Sequence, residues 1–501
     1  MKAAFYNISS NAIAKIWTIG ISIIVLPIYV KIIGIEAYGL VGFYTTLVGS
    51  LSLLDLGLSS TLNREMARAK SLNKSSESIR NLVFSLECIY WLIGLLIGVT
   101  IFYLSSTIAH SWLQSESLPM SQVILSIKLM AGIIAFNWPV SIYTGGLMGM
   151  QKQVGYNIIN IIMATLKSIG VIFVLTYFSP TIEAFFIWQF CITLFTVLLL
   201  RRLLWYHLPR FKFRPKFSKI ELSHIWKFAG GMLGITMATF CLTQMDKIIL
   251  SRVLSLSDFG FYNISWIVGT SLTLVVGVLG SVFLPKLTVI VARGRNIEII
   301  DSFHTYNRLM ISLVTPVGLF LAFYSREIIQ VWMSNDVTSE KIWLAVTILS
   351  VGSIFNAFMV VPYYLMIAYG YTKFTIIQNV IASIILVPLL FLFTDYWGLI
   401  GATLVWLTLN LGYNLISLPL IHIKMKVLNS ELFKTIFYDM GIVFMISLIV
   451  IGLSGLIYSS VWALGIKLCF FVTLLIIVYG IIILFNTEYR RMLKKIFQRV
   501  N

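Results

Sequence analysis

Residues 181–222 read TIEAFFIWQFCITLFTVLLLRRLLWYHLPRFKFRPKFSKIEL. The first part of this stretch is almost wholly apolar over the length that an α-helix needs to cross the hydrocarbon core of a membrane, about 20 residues. The part that follows, residues 201–219, holds seven Lys and Arg residues. An apolar segment that runs directly into a basic one is typical of a membrane helix that ends at the cytoplasmic surface.

The same alternation of apolar and basic segments continues along the whole chain. We divide the apolar stretches into fourteen predicted spans, with twelve or thirteen as alternatives if neighbouring stretches are merged or split. The connections on one side hold 27 of the 37 Lys and Arg residues, and those on the other side hold four. The basic side is therefore predicted to be cytoplasmic, and an even number of spans places both termini there. The predicted spans are 9–32, 38–62, 80–104, 121–147, 156–178, 181–204, 223–250, 259–284, 306–330, 342–368, 373–393, 396–422, 435–457 and 461–485.

Composition agrees with an all-α polytopic membrane protein. Apolar residues make up 59% of the chain and charged residues 11%, and the mean hydropathy is +0.93. The net charge of +18 does not indicate a nucleic-acid-binding protein, because the cations are divided among short loops between spans. In that position they orient the chain and contact anionic lipid headgroups, so membrane lipids are a predicted partner.

A weak internal repeat predicts two halves. Tyr38-Gly39-Leu40-Val41 opens the second span much as Phe259-Gly260-Phe261-Tyr262 opens the eighth, at an offset of 221 residues. Because six spans are an even number, both copies of a six-span unit have the same orientation, and transporters built in this way usually bind substrate between the halves. The predicted parts are an N-terminal six-helix lobe (1–205), a basic cytoplasmic linker (206–222), a C-terminal six-helix lobe (223–423), and helices 13 and 14 with a basic cytoplasmic tail (424–501).

Three lysines inside spans are candidates for a substrate pathway. Lys167 lies about eleven residues into the fifth span, near the midplane, where its side chain cannot easily reach either membrane surface. A charge at that depth is costly unless it faces protein or water. Lys128 and Lys15 lie closer to a membrane surface, so an ammonium that extends to the interface is an alternative for both.

Three further charged residues complete the predicted site. Asp55 precedes Gly57 in the second span, where it is either a contributor to the pathway or a polar contact at a turn loosened by glycine. Asp246 and Lys247 lie near the outer end of the seventh span, and we expect that they do not simply neutralise each other, because adjacent helical residues point about 100° apart. Lysines outnumber acids inside the spans, which favours an anionic substrate.

No residue pattern indicates catalysis, a metal or a cofactor. The histidines are dispersed without ligand spacing, and no Asp-x-Asp pair occurs. We therefore predict no catalytic residues, no metal ligands and no cofactor.

Several motifs together resemble the polysaccharide-transporter branch of the multidrug/oligosaccharidyl-lipid/polysaccharide exporter superfamily, and most of all the O-antigen flippases of bacterial inner membranes. The resemblance covers essentially the whole chain. It depends on the order and spacing of loose motifs, which are Leu54-Asp55-Leu56-Gly57-Leu58, Asn63-Arg64-Glu65, Gly146-Leu147-Met148-Gly149 with Gln151, and Gln244-Met245-Asp246-Lys247 leading to Phe259-Gly260-Phe261-Tyr262.

This resemblance implies a fold and a cargo. The fold is two six-helix lobes in a V around a central cavity, with two helices appended. The cargo is an oligosaccharide on undecaprenyl pyrophosphate, moved from the cytoplasmic to the periplasmic leaflet. A dense anion of this kind can bind lysines, and its sugar requires a wet, hydrogen-bonding lumen. A polysaccharide polymerase and a chain-length regulator are further candidate partners.

Two other functions compete with this one. A cation-coupled multidrug antiporter shares the fold, but it favours acidic cavity residues and usually has twelve spans. An integral-membrane polysaccharide polymerase or glycosyltransferase usually needs a large external loop or a soluble catalytic region. The longest predicted external connection, about Ser105 to Ser121, has some seventeen residues, so we expect that the protein is not an enzyme.

Overall fold

Helices make up the regular structure of the residues that the structure describes. The computed structural model describes residues 2–55, 57–71, 75–223, 240, 243–424, 430–455, 458 and 464–485. Within these ranges, extended pairing is limited to one isolated bridge between Gln114 and Ser255. The all-α prediction is confirmed.

The chain divides into two units, and the first is Met1–Gly260. Within it, α4 packs on α5, α1 and α8 both pack on α7, and α3 packs on α6. Its helices are α1 (Lys2–Ile33), α2 (Ile35–Leu51), a 3-10 turn (Ser52–Asp55), α3 (Leu58–Ser71), α4 (Ser76–Ser111), α5 (Met120–Asn137), α6 (Val140–Gly149), α7 (Gln153–Tyr177), α8 (Ile182–His207), α9 (residues 243–253) and the start of α10 (Leu256–Gly269).

The second unit is Phe261–Asn501. Its main packing pairs are α12 with α14, α14 with α15, α11 with α14, and α12 with α17. Beyond α10 its helices are α11 (Leu272–Ala292), α12 (Asn296–Phe323), α13 (Ser325–Met333), α14 (Asp336–Ala368), α15 (Thr372–Gly412), a π-helical turn (Tyr413–Ser417), α16 (Leu418–Lys424), α17 (Ser430–Ser454) and α18 (Leu464–Phe485).

The first unit extends past the predicted 206–222 linker. It includes α9 and the start of α10, which belong to the predicted C-terminal lobe. The physical reason is a set of contacts, described below, that joins residues 251–260 to α2 and to the α4–α5 loop. The lobe boundaries 1–205 and 223–423 stay a prediction.

Nine helices among the described residues are long and apolar enough to span a membrane. They account for ten of the fourteen predicted spans. One of them, the continuous helical stretch Lys373–Ile421, comprises α15 from Lys373 onward, the π-helical turn and part of α16, and it covers both of the predicted spans 373–393 and 396–422. Two further predicted spans correspond to the shorter apolar helices Met440–Ser454 and Cys469–Leu484. Most of the predicted span 223–250 lies outside the described residues.

The remaining predicted span, 38–62, is not one helix. After α2, the 3-10 turn Ser52–Asp55 and then Gly57, with a φ of +72°, redirect the chain into α3. Glycine adopts this left-handed backbone at little steric cost, whereas other residues rarely do. A glycine with a φ of +52°, Gly398, likewise interrupts α15, near the start of the predicted span 396–422.

Two glycines allow α3 and α6 to pack at backbone distance. A Cβ atom on Gly145 would lie 2.4 Å from the Ser59 carbonyl oxygen, and one on Gly149 would lie 2.3 Å from the Asn63 carbonyl oxygen. Small residues four positions apart are a common way to bring membrane helices together. Gly149, the last residue of the Gly146–Gly149 motif, and Gly145, which precedes that motif, thus have a structural role in holding the α3 segment.

Candidate functional site

Lys167 lies on the face of α7 that points away from the helix's exposed apolar row. Each residue turns the helix by about 100°, so Lys167 is about 140° from the centre of that row. Gln189 on α8 donates a hydrogen bond to the Lys167 carbonyl oxygen at 3.1 Å, which supports this turn of α7. Among the described residues, no carboxylate lies within 4.0 Å of its ammonium. The exposed row consists of Ile158, Ile162, Leu166, Ile169 and Phe173.

Hydrogen bonds along the α1–α7 interface fix the register of these two helices. Asn11 donates to the Gln153 side-chain oxygen at 2.7 Å, and Asn157 donates to the Asn11 side-chain oxygen at 2.6 Å. Further along, the Trp17 indole donates to the Thr165 hydroxyl at 2.9 Å. The two helices therefore run side by side in the same direction.

This register places Lys15 on the helix next to that of Lys167. Lys15 is exposed and lies between Asn11 and Trp17 on α1. The partners of those two residues on α7 precede Lys167, so Lys15 lies nearer the predicted cytoplasmic end. The structure thus brings together the helices that carry two of the predicted cations, at different depths.

Lys128 is in a different environment. Its ammonium lies 5.3 Å from the centre of the Phe102 ring, in an open groove of about 430 Å³ lined by α4, α5 and α8. Leu95, Val99 and Tyr103 line the same groove and are themselves 47–79% exposed. An exposed apolar surface of this kind on a membrane helix is suited to lipid contact, and the pathway role of Lys128 stays a prediction.

Asp55 receives hydrogen bonds from three hydroxyl groups. Its Oδ1 accepts from Tyr90 at 2.5 Å and from Ser141 at 3.2 Å, and its Oδ2 accepts from Ser59 at 2.7 Å. The acid therefore makes polar contacts at the turn before Gly57, in keeping with the second of the two interpretations above. Its role in a pathway stays a prediction.

Asp246 and Lys247 form an ion pair, and the expectation that they do not neutralise each other is wrong. The Lys247 ammonium lies 3.6 Å from Asp246 Oδ2 and donates a hydrogen bond to the Thr243 carbonyl oxygen at 3.1 Å. The 100° angle between adjacent Cβ atoms does not separate the charges, because four flexible methylenes let the ammonium bend across the helix surface.

A buried acid in the first unit has a partner that sequence analysis did not identify. Glu87 on α4 is 4% exposed, and its Oε1 lies 2.5 Å from the Arg201 guanidinium and 2.7 Å from the Tyr143 hydroxyl. Trp205 donates to Oε2 at 3.1 Å. The sequence predicts Arg201 only as a cytoplasmic cation, since its position at the end of an apolar span carries no sign of a partner on another helix.

At the predicted external end, two glycines allow the starts of α2 and α10 to cross in backbone contact. A Cβ atom on Gly39 would lie 2.1 Å from the Leu256 carbonyl oxygen, and one on Gly260 would lie 2.6 Å from the Ile35 carbonyl oxygen. Real Cβ atoms do not approach so closely. Only glycine fits at either position without separating the helices.

These two contacts are reciprocal. Leu256 follows Ile35, and Gly260 follows Gly39, by 221 residues, which is the offset of the internal repeat. Each copy of the repeated segment therefore contacts the other in an equivalent manner, as surfaces related by a two-fold axis do. The crossing follows the offset of the predicted repeat, and the duplication itself stays a prediction.

Glu36 holds the α4–α5 loop against this crossing. Its Oε1 accepts hydrogen bonds from the Ser115 hydroxyl at 2.9 Å and from the Glu116 amide at 2.6 Å. Its Oε2 accepts from the Ser117 amide at 2.9 Å and also from the Ser117 hydroxyl. A carboxylate with four donors is strongly stabilised in its charged form.

The same loop holds the segment that leads into α10. The Trp112 indole donates to the Ser251 hydroxyl at 3.0 Å, and the Gln114 side chain donates to the Arg252 carbonyl oxygen at 3.0 Å. The Leu256 amide donates to the Gln114 carbonyl oxygen at 2.8 Å. We call the contacts among residues 35–39, 112–117 and 251–260 the external clasp.

The contribution of Glu36 to stability should depend on pH. Burial tends to raise the pKa of Glu36, but the hydrogen bonds from Ser115, Glu116 and Ser117 outweigh it and lower that pKa. A carboxyl with a lowered pKa stabilises the folded state fully above its unfolded pKa, about 4.3, and loses this effect as the pH falls through the folded value. Glu36→Gln should therefore lower the melting temperature at pH 7. The free energy of unfolding should fall by at most about 1.5–3 kcal/mol for each hydrogen bond to the charged carboxylate.

The measurement is thermal unfolding of the detergent-solubilised protein between pH 7 and pH 3. The gap between wild type and Glu36→Gln should close toward the acid end. Glu116→Gln, which changes an exposed acid in the same loop, should leave the melting temperature unchanged. A gap that does not vary with pH would mean that the charge of Glu36 is not what stabilises the clasp.

Comparison with known sequences finds a family and two curated relatives. The family described as polysaccharide biosynthesis protein matches residues 4–291, which is more than half of the chain. The putative O-antigen transporter of Shigella flexneri is 21% identical over 413 residues, covering 81% of this chain and 94% of the relative. The succinoglycan biosynthesis transport protein ExoT of Rhizobium meliloti (strain 1021) is 24% identical over 269 residues, covering 52% and 49%.

Comparison with solved structures identifies the fold. The lipid II flippase MurJ in an inward closed conformation is similar with a TM-score of 0.68 at 15% identity, covering 95% of this chain and 98% of that one. An inward-facing multidrug resistance transporter of the MATE family, in the MOP superfamily, is similar with a TM-score of 0.64 at 15% identity, covering 85% and 95%. The fold is therefore that of MurJ and the MATE transporters.

Proposed function

This chain belongs to the polysaccharide biosynthesis protein family, and from that premise we propose that it is a lipid-linked oligosaccharide flippase. Its cargo would be an O-antigen or related repeat unit on undecaprenyl pyrophosphate. The protein would move this cargo from the cytoplasmic to the periplasmic leaflet of a bacterial inner membrane by alternating access. A polysaccharide polymerase and a chain-length regulator would act on the product outside.

The family match confirms the resemblance drawn from the motifs, and the chain is a multi-pass membrane transporter of the polysaccharide and O-antigen class, not an enzyme. The cargo, the direction of transport and the membrane are the parts that we propose.

We propose that the chain crosses the membrane fourteen times, with two six-helix lobes in a V, two appended helices and both termini in the cytoplasm. The excess of cations on one side supports this orientation. In a variant whose four native cysteines are replaced, a cysteine at Ser75 should react only with reagents that reach the cytoplasm. A cysteine at Ser106 should react from outside. Both positions are exposed, and labelling of Ser75→Cys from outside would overturn the orientation.

The observation that carries the transport proposal is the external clasp. The helices cross at backbone distance at Gly39 and Gly260, and few residues take part in this contact. The hydrogen bonds around the crossing can be replaced by hydrogen bonds to water. Such a contact can close the external end in one state and separate in the other. The reciprocal arrangement also suits two halves that rock about a shared axis, as in transporters built from parallel repeats.

The charge of the cargo is proposed from Lys167 and Lys15. A cation near the midplane that points away from the lipid-facing row is stabilised by a visiting anion when, as for Lys167 among the described residues, no carboxylate lies within 4.0 Å of it. Lys15 on the neighbouring helix lies nearer the cytoplasmic end, where a pyrophosphate would enter. Together they offer an anion two positions along the α1–α7 pair.

The rival within the same fold is a cation-coupled multidrug antiporter. The similarity to a MATE transporter concerns fold alone at 15% identity. An antiporter for cationic drugs would favour an acidic pathway, yet Asp55 is hydrogen-bonded to hydroxyls, Glu87 is paired with Arg201, and Asp246 is paired with Lys247. These contacts favour the flippase.

Complementation of a flippase-null strain tests the proposal. Expression of this chain should restore surface polysaccharide for at least one of a panel of repeat units, and the repeat unit that is restored identifies the cargo. Restored drug resistance in an efflux-deficient strain, with no polysaccharide restored across the panel, would instead support the antiporter.

A further inference from the structure

Residues 208–222 carry cations and apolar side chains in alternation. The run is Arg210-Phe211-Lys212-Phe213-Arg214-Pro215-Lys216-Phe217-Ser218-Lys219-Ile220. Three of its large apolar side chains are well exposed: Phe213 at 65%, Phe217 at 49% and Ile220 at 71%. We call residues 208–222 the cytoplasmic strap.

The cations of the strap have no acidic partner within the described part of the chain. All of them are exposed, and Glu221 is the one acid in the segment. Several like charges close together in sequence repel one another unless an anion lies among them. The strap therefore presents a concentrated, uncompensated positive charge, made by Arg210, Lys212, Arg214, Lys216 and Lys219.

The strap is fixed against α4 and is not a free loop. The Lys216 amide donates to the Asn81 side-chain oxygen at 2.7 Å, and the Ser218 amide donates to the Ser85 hydroxyl at 2.8 Å. Arg80 donates to the Pro209 carbonyl oxygen at 3.3 Å. These bonds use the strap's backbone, so its cationic and aromatic side chains remain directed outward.

The depth of these bonds places the strap at the level of the lipid headgroups. In α4 the predicted span begins at residue 80 and its uncharged run begins at residue 88, so Asn81 and Ser85 lie in the first turns at its predicted cytoplasmic end. Ser85 and Asn81 precede that run by three and seven residues, or about 5 and 11 Å, so the strap lies at the headgroup level and its cytoplasmic edge. The headgroup region on each side is about 5–8 Å thick.

We propose that the cytoplasmic strap is a binding site for the phosphate headgroups of anionic phospholipids in the cytoplasmic leaflet. The cations fit the phosphates, and the exposed Phe213, Phe217 and Ile220 fit the acyl boundary directly beside them. A soluble phosphate or a nucleic acid would satisfy the cations and leave the apolar side chains in water. A membrane surface offers both partners within a few ångströms.

The test measures lipid binding to the purified full-length protein. Delipidated protein is titrated with phosphatidylglycerol or phosphatidylcholine, and bound lipids are counted by native mass spectrometry. The strap variant combines Lys212→Gln, Arg214→Gln, Lys216→Gln and Lys219→Gln. Its Kd for phosphatidylglycerol should rise about fivefold or more, since one surface cation is worth that much. Phosphatidylcholine binding should stay the same.

A charge-matched control separates a site from net charge. It changes four exposed cations that are scattered over other predicted cytoplasmic segments, and it should bind phosphatidylglycerol nearly as wild type does. Equal losses in both variants, or no loss in the strap variant, would overturn the proposal. The control substitutions are Lys152→Gln, Lys286→Gln, Arg295→Gln and Lys373→Gln.

Two further arms test the identity of the ligand. Phe213→Ser with Phe217→Ser keeps every cation, and it should also weaken phosphatidylglycerol binding if the strap lies on a lipid surface. Unchanged binding would overturn the lipid-surface assignment. The strap variant is also titrated with a polyprenyl pyrophosphate. Loss of that ligand with phosphatidylglycerol binding intact would show that the strap recognises the cargo and not bulk lipid.

Discussion

Gly39→Ala is expected to cut surface polysaccharide sharply at an unchanged protein level in the membrane. The new methyl group would lie 2.1 Å from the Leu256 carbonyl oxygen, which belongs to the backbone and cannot rotate away. Overpacking of this kind typically costs about 1–3 kcal/mol, which corresponds to a shift of about 5- to 150-fold in a two-state equilibrium. The closed clasp would lose population, and alternating access would stall.

Two controls accompany this prediction. Gly260→Ala should reproduce the defect, because Gly260 is the repeat equivalent of Gly39 and meets the Ile35 carbonyl oxygen. Gly480→Ala should have little effect, since a Cβ atom there has nothing within 4 Å.

A second readout does not require the cargo. Leu256 is 1% exposed in the clasp, so a reporter made by Leu256→Cys in a cysteine-free background should react slowly with an external thiol reagent. Gly39→Ala should speed that reaction. Normal polysaccharide together with unchanged labelling would refute the role of the crossing as an external gate.

Lys167→Gln is expected to abolish surface polysaccharide, while Lys167→Arg should retain part of it. Glutamine keeps polarity and removes the charge, whereas arginine keeps the charge with a different shape. An anion near the midplane depends on that charge, because the low dielectric there makes each ionic contact strong. The measurement is polysaccharide display in the complemented strain at matched expression.

The comparison with Lys128→Gln sharpens this prediction. Lys128 is also an intramembrane lysine, but it lies in a groove among exposed apolar side chains, so its loss should reduce display far less than that of Lys167. Equal activity of wild type and Lys167→Gln would show that the charge is not required for transport. Loss of the Lys167→Gln protein from the membrane would indicate a structural partner instead.

The amino-acid sequence is sufficient for the class of the protein, and it predicts the depth of its charges. A bilayer acts on a chain as a layered solvent, so the length of an apolar run and the side on which cations accumulate can be read residue by residue. For the same reason the sequence alone predicts that Lys167 lies near the midplane. The motif resemblance, confirmed by the family match, extended this to a transporter of polysaccharide units.

Tertiary structure was needed for everything that depends on how helices are rotated and packed. Sequence cannot state that Glu87 meets Arg201, that Glu36 holds the α4–α5 loop, or that Lys167 and Lys128 face different surroundings. These partners are far apart in the chain, and their meeting depends on helix register and on the backbone contacts that glycines permit. The repeat predicted that Gly39 and Gly260 are equivalent, but only folding brought these two equivalent residues into contact with each other's segments.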